Sequence, residues 1–268
     1  MIHLTRLELP SRAPHNLFPF SLPLTSQFEP LKLESAVTFF TGENGTGKST
    51  LLEAIAASAN LPTAGGHDIA SDDSLAPARE LGNWLRLGWS KRTRHGFFLR
   101  AEDFFAWQRR INTNQTELGD LADKYTAEIE SDPANADGIK RARGYILAQK
   151  QALEAKYGED ADAYSHGEAF LHFFEQRLVP GGLYLLDEPE APLSPLRQLA
   201  FLSLLKRFVA LNCQFLIVTH SPIVMAFPDA VLLDFNKLPL APIAYDDVEH
   251  VYLTRAFLND PQAYLRRL

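Results

Sequence analysis

The stretch Gly42-Glu43-Asn44-Gly45-Thr46-Gly47-Lys48-Ser49 constrains this chain more than any other, because it satisfies G-x-x-x-x-G-K-[ST] at every fixed position. Its context also fits the physics. Val37 to Thr41 is a short β-branched and aromatic run that stops at Gly42, and Ser49 to Ala59 are good helix formers ended by Asn60-Leu61-Pro62. Strand, glycine-rich turn and helix in that order let backbone N–H groups curl toward a phosphate chain, with the helix N-terminus adding partial positive charge. Lys48 is expected to reach the β- and γ-phosphates, and the Ser49 hydroxyl to ligate Mg²⁺.

A second signal is Leu183-Tyr184-Leu185-Leu186-Asp187-Glu188-Pro189, an apolar strand with carboxylates only at its C-terminal end, where ligands of parallel sheets collect. Asp187 is expected to hold the Mg²⁺ through water, and Glu188 to orient or deprotonate an attacking water. A third is Phe215-Leu216-Ile217-Val218-Thr219-His220-Ser221, where His220 leaves an apolar strand and can hydrogen-bond a γ-phosphate. Between the two strands lies a helix punctuated by Ser194 as N-cap, Pro195 at its first position and Asn212 at its end.

Strands separated by helices imply an α/β fold with a largely parallel central sheet, and the phosphate loop within it marks the fold expected of a P-loop NTPase. The alternation in Ile2 to Leu9 predicts an antiparallel N-terminal strand region closed by Pro10, and residues 10–30 carry too many prolines for a helix. Leu81, Trp84, Leu85 and Gly88 stand at helical spacing, and Gly96 to Arg100 reads as a strand. Residues 104–178 read as an inserted helical lobe of a single domain spanning 1–268, its polar segments Glu117 to Ser131 and Ile139 to Tyr157 forming a hairpin.

Composition narrows the class. Apolar residues at 46% exclude disorder as the main state, and 26 basic against 33 acidic residues, a net charge of −7, argue against a basic nucleic-acid coat. The single cysteine, Cys213, excludes an internal disulfide or thiolate zinc cluster and reads as a buried small hydrophobe. Arg6 and Glu8 interrupt any signal peptide, and no run approaches the ~18 apolar residues of a membrane span, so a cytoplasmic location and no transmembrane segment are expected.

The phosphate loop, the strand ending in Asp-Glu-Pro and the Thr-His-Ser segment, in that order, resemble the ABC-type ATPases, which include transporter motor subunits and the RecF and SMC class. Gly42 to Glu53, Phe97 to Glu102, Asp187-Glu188-Pro189-Glu190 with Leu193-Ser194-Pro195, and the tail from Thr254 resemble more closely the stand-alone bacterial ATPases of the ABC/AAA type. The resemblance implies ATP as the nucleotide with Mg²⁺, and contacts to it from Gly42 through Ser49 and from Thr50.

It further implies a Ser-Gly signature that caps the γ-phosphate of a partner subunit. Ser165-His166-Gly167-Glu168 stands close to the family's spacing before Asp187 but departs from the transporter pattern Leu-Ser-Gly-Gly-Gln at His166 and Glu168, and Ser-x-x-Glu is also a capping box. If Ser165 and Gly167 cannot reach the phosphate from their own chain, an ATP-dependent homodimer brings them across. No glutamine occupies the family's Mg²⁺-sensing position; Glu102 is the candidate there, with a helix-capping role beside Asp103 as the alternative.

Three functions stay open: an ATP-driven switch acting on nucleic acid or a partner protein, the motor subunit of a transporter, and a nucleotide-binding interaction module with negligible turnover. Basic clusters at Lys91 to Arg94, Arg109-Arg110 and Lys140 to Arg143 suit the first, or are solvated helix faces. Phe18, Phe20 and Phe28 are candidates to stack on the base or to pack the core.

Overall fold

The computed structural model describes residues 1–10, 13–14, 17–64, 73–133, 136–157 and 166–266. They form two compact units, Met1–Ala101 with Arg177–Leu268, and Glu102–Gln176.

The first unit opens with β1 (Leu4–Glu8), a four-residue helix α1 (Pro23–Ser26) and β2 (Leu31–Lys32). Next come β3 (Val37–Thr41), α2 (Lys48–Ala59), α3 (Ala76–Trp84), β4 (Arg86–Trp89) and β5 (Gly96–Arg100). The second unit holds most of α4 (Ala101–Ser131), all of α5 (Asp137–Tyr157) and most of α6 (His166–Arg177). The chain then completes the first unit with β6 (Leu183–Asp187), α7 (Pro195–Ala210), β7 (Gln214–Val218), α8 (Pro222–Met225) and β8 (Val231–Asp234). It closes with β9 (Ala241–Pro242), α9 (Glu249–Asn259) and α10 (Pro261–Leu265).

Two sheets result. The larger has the order β5-β6-β7-β3-β8-β9, parallel throughout except for β9, which runs antiparallel to β8. The smaller is antiparallel, β2-β1-β4. Strands β3 and β7 are buried at every residue, as expected of parallel strands covered on both faces. Leu4 and Leu7 of β1, Leu51, Leu52 and Ile55 of α2, and Phe40, Leu185 and Leu216 of the large sheet share one core. Helices α2 and α3 meet at Gly82, where a Cβ would come within 2.8 Å of the Ala54 carbonyl oxygen.

Two sequence expectations are corrected here. Residues 10–30 do hold a helix, α1, because Pro23 stands in its first turn, where proline lacks no needed N–H. Gly88 does not continue the helix of Leu81 and Trp84. That helix ends at Trp84, Leu85 is already extended, and Gly88 pairs with Arg6 in β4.

Cys213 is fully buried, and burial pushes its thiol up from the ordinary value. In the second unit Phe104 and Trp107 of α4 pack edge to face on Phe170 and Phe173 of α6, and Arg143 of α5 donates to Thr126 of α4 over 2.8 Å.

One polar side chain ties the two sheets together. Gln214, fully buried at the start of β7, accepts from the His3 and Leu4 N–H groups through Oε1, at 2.9 and 2.8 Å, and donates from Nε2 to the Leu4 carbonyl at 2.9 Å. Replacing it with leucine strands three backbone groups. At about 1–3 kcal/mol for each buried group left unpaired, Gln214→Leu is expected to lower stability by about 3 kcal/mol or more in urea unfolding. A loss below about 1 kcal/mol would refute this role.

Candidate nucleotide site

The site lies at the C-terminal edge of β3, β6 and β7. Register explains the convergence: Phe40 of β3 faces Val218 of β7, and Val218 faces Asp187 of β6. Since β7 separates β3 from β6, the phosphate loop, the acidic strand end and the segment after β7 leave one edge side by side.

The loop between β3 and α2 is shaped by glycine. Gly45 and Gly47 take φ of +82° and +93°, and Gly47 is the N-cap of α2 without a side-chain cap bond. Lys48 is buried and donates from Nζ to the Gly42 carbonyl at 2.7 Å and the Glu43 carbonyl at 2.6 Å. Burial holds its ammonium below the ordinary lysine range, against the raising effect of Asp187, Glu188 and Glu43. Thr46 donates to the Glu43 carbonyl at 2.8 Å. Asn44 lines the wall that the loop shares with Glu188 and His220, and Thr50 lies in the first turn of α2.

Ser49 Oγ donates to Asp187 Oδ1 at 3.2 Å. Burial pushes the Asp187 carboxyl up to about 6; the Ser49 hydrogen bond and Arg100 oppose this, while Glu188 and Glu190 add to it. Glu188 is half exposed in the left-handed backbone region, φ +49°, and its N–H donates to the Val218 carbonyl at 3.0 Å. His220 Nε2 lies 3.8 Å from Glu188 Oε1. Its imidazole is held below the ordinary value by burial first, then by Lys48 and His250, with Glu188 opposing.

Lys48, Ser49, Asp187, Glu188 and His220 are therefore brought together at one sheet edge. Ser165 lies outside the described residues. Gly167 is buried in the first turn of α6, and Glu102 stands with Asp103 in the first turn of α4, where acidic side chains suit the helix N-terminus; all three belong to the second unit. Phe20 is buried edge to face on Trp84, Phe28 packs on the main core, and Phe18 is exposed.

Three further residues join the site. Asn236, after β8, accepts from the Glu43 N–H at 2.7 Å, and a Cβ on Gly42 would come within 2.9 Å of the same oxygen. Glu190 accepts from the His220 N–H at 2.8 Å, and its second oxygen is buried with no hydrogen-bond partner among the described residues. His250, on α9, meets His220 ring to ring at 3.0 Å between nitrogens. Only Glu190 had a hint, the repeated acid in Asp-Glu-Pro-Glu.

The donor set fits a phosphate-bound Mg²⁺ rather than a protein-caged metal. A hydroxyl and one carboxylate face each other beside a buried ammonium, and the described residues contain no cluster of three or more His, Cys, Asp or Glu able to hold a metal. The Asp187 carboxyl, raised by its own burial, is what a bound cation would relieve.

This fold and edge define a P-loop NTPase of the AAA ATPase class. Residues 71–226 match the family model described as "AAA domain, putative AbiEii toxin, Type IV TA system", and the chain belongs to that family. Residues 15–60 match a second model, described as an AAA domain.

Among solved structures, the SMC head domain from Thermotoga maritima is 18% identical, with 91% of this chain and 100% of that chain covered and a TM-score of 0.44. The Smc head domain with an extended coiled coil, bound to the C-terminal domain of ScpA from Pyrococcus furiosus, is 13% identical, covering 96% and 100%, TM-score 0.44. A nucleotide-free ATP-binding cassette from an ABC transporter is 16% identical, covering 88% and 90%, TM-score 0.42. No curated protein matches the chain.

Because burial raises the Asp187 pKa, its contribution to stability is fully present below the ordinary value of 3.8 and is lost as pH rises through about 6. Asp187→Asn, which keeps an acceptor for Ser49, is expected to be more stable than the parent in the ligand-free state at pH 7.5, by about 2–3 kcal/mol. The gap in urea midpoints should close toward pH 4. A gap independent of pH would show that Asp187 is not the strained acid.

Proposed function

We propose that the protein binds ATP with Mg²⁺ and hydrolyses it, working as a cytoplasmic homodimerising switch on nucleic acid or a partner protein. The observation that carries this reading is the Ser49–Asp187 contact of 3.2 Å with Glu188 and His220 beside it at 3.8 Å from each other. A phosphoryl transfer needs positioning and charge stabilisation more than covalent chemistry, and these groups supply both.

The backbone from Gly42 to Gly47 would cradle the phosphates, with the N-terminus of α2 behind it. Lys48 would exchange its two loop carbonyls for phosphate oxygens. Ser49 and Asp187 would hold Mg²⁺, which when bound neutralises charge on the phosphates. Glu188 would orient the attacking water and take its proton, and His220 would donate to the terminal phosphate. Ser165 and Gly167 would complete the site of a second copy.

The family's toxin–antitoxin description supports a defence role for the switch over transport. No helix among the described residues is long and apolar enough to cross a membrane.

Glu188→Gln is expected to slow phosphate release by about 10²-fold or more while leaving nucleotide binding intact, as befits loss of a general base. In that background Mg-ATP should double the mass read by light scattering, and a further Ser165→Arg change should abolish the doubling. Unchanged turnover would remove Glu188 from the role. ATP binding without a mass change would remove the dimer.

A further inference from the structure

We propose that His250 is a positioning residue that fixes the ring tautomer of His220, so that His220 presents Nε2–H toward Glu188 and the phosphate side of the site. Its consequence for turnover rests on the ATPase reading above; the tautomer itself does not.

His220 is held at two levels. Its backbone is pinned by its N–H bond to Glu190 at 2.8 Å. The neighbouring Ser221 N–H donates to Thr219 Oγ1 at 3.0 Å, and the Ser221 hydroxyl both caps α8 and donates to Gln198 at 2.6 Å. None of these bonds touches the imidazole. The ring is met by His250, with Nδ1 of His220 at 3.0 Å from Nε2 of His250 and the two rings edge to face at 77°.

Two imidazole nitrogens at that distance share a single proton: one donates and the other offers its lone pair. Which one donates is decided at the far side of the His220 ring. There Nε2 faces the Glu188 carboxylate, 3.8 Å away. A carboxylate only accepts, so a lone pair on Nε2 would face negative charge, whereas an N–H is attracted to it. The proton of neutral His220 therefore sits on Nε2, Nδ1 carries the lone pair, and His250 donates from its own Nε2.

Lys48, which also acts on His220, disfavours a second proton there. The result is a neutral imidazole with a donor aimed at the place where an anion would bind. Without His250 only the Glu188 side biases the ring, and a proton on Nδ1 no longer meets an opposing donor, so both tautomers become populated.

His250 is well placed to do this. It stands in the first turn of α9, between the buried Val248 and Val251. The turn before α9 is tied to α8 by the Tyr245 hydroxyl, which donates to the Pro222 carbonyl at 2.9 Å. Helix α9 thus reaches the segment after β7 from a part of the chain with no phosphate-binding motif of its own.

The test reads the imidazoles directly. In ¹⁵N-labelled, nucleotide-free protein at pH 8, long-range ¹H–¹⁵N spectra should show His220 as the Nε2–H tautomer, its signals identified by their loss in His220→Gln. His250→Ala should turn this into a mixture, and His250→Gln, which keeps a donor, should restore it. In phosphate release His250→Ala should lower kcat by about tenfold with KM within about twofold, and His250→Gln should recover most of it. The double variant His220→Gln with His250→Ala should be no slower than His220→Gln alone.

An unchanged tautomer in His250→Ala overturns the proposal, as does a kcat loss that multiplies with that of His220→Gln. A parent protein that releases no phosphate would overturn the ATPase reading instead, and the tautomer spectra would still judge His250.

Discussion

Parallel pairing of β3, β7 and β6 in one register is the constraint from which the site follows. A parallel strand cannot return through a tight turn, so each connection carries a helix, and every strand leaves the same sheet edge. These strands are buried along their length, and the polar groups of the site stand at their C-terminal ends: Thr41 before the phosphate loop, Asp187 on β6, Thr219 and His220 after β7. Moving β6 by one residue would turn Asp187 to the other face and break its contact with Ser49. The buried Gln214 that joins β7 to β1 holds the other end of the same strand.

Charge at that edge is arranged unevenly. Lys48 satisfies its ammonium with carbonyls of its own loop, so it neutralises the neighbouring carboxylates only partly. Asp187 and Glu190 are each raised first by burial; Glu188 adds to the rise of both, and Glu190 adds to that of Asp187. An edge built for stability alone would place fewer acids there or more cations, since burying an ionised carboxylate is costly. The excess of negative charge, next to a hydroxyl and a glycine-lined loop, suits an edge whose partner is a cation bound together with an anion.

Much of this was legible in the sequence because the chemistry is local. The glycines, lysine and serine of the phosphate loop lie within one short stretch, and an apolar run ending in Asp187-Glu188 announces both the strand and the acids at its end. Local pattern failed where tertiary pairing decided. Gly88 fits a helical spacing with Leu81 and Trp84, yet its lack of a side chain serves β4, where a Cβ would come within 3.0 Å of the Arg6 Cβ. Asn236 and His250 act through contacts that join distant parts of the chain, and nothing beside either residue in sequence marks it. Gln214 sat in plain view at the head of an apolar run. Its role became visible only once β1 supplied the three backbone groups it satisfies.

The loops after β6 and β7 are coupled more closely than their separate motifs suggest. Glu188 occupies a left-handed conformation that a glutamate adopts only when its surroundings impose it, and its N–H is spent on the Val218 carbonyl of β7. Two residues later Glu190 returns the favour by accepting from His220. The side chains of Glu188 and His220 therefore face each other because the two loops are tied crosswise, by the Glu188 N–H to the Val218 carbonyl and by the His220 N–H to the Glu190 carboxylate, and not because either loop is rigid alone. A change that releases one of these bonds should displace both side chains together, so the acid and the histidine behave as one element of the site.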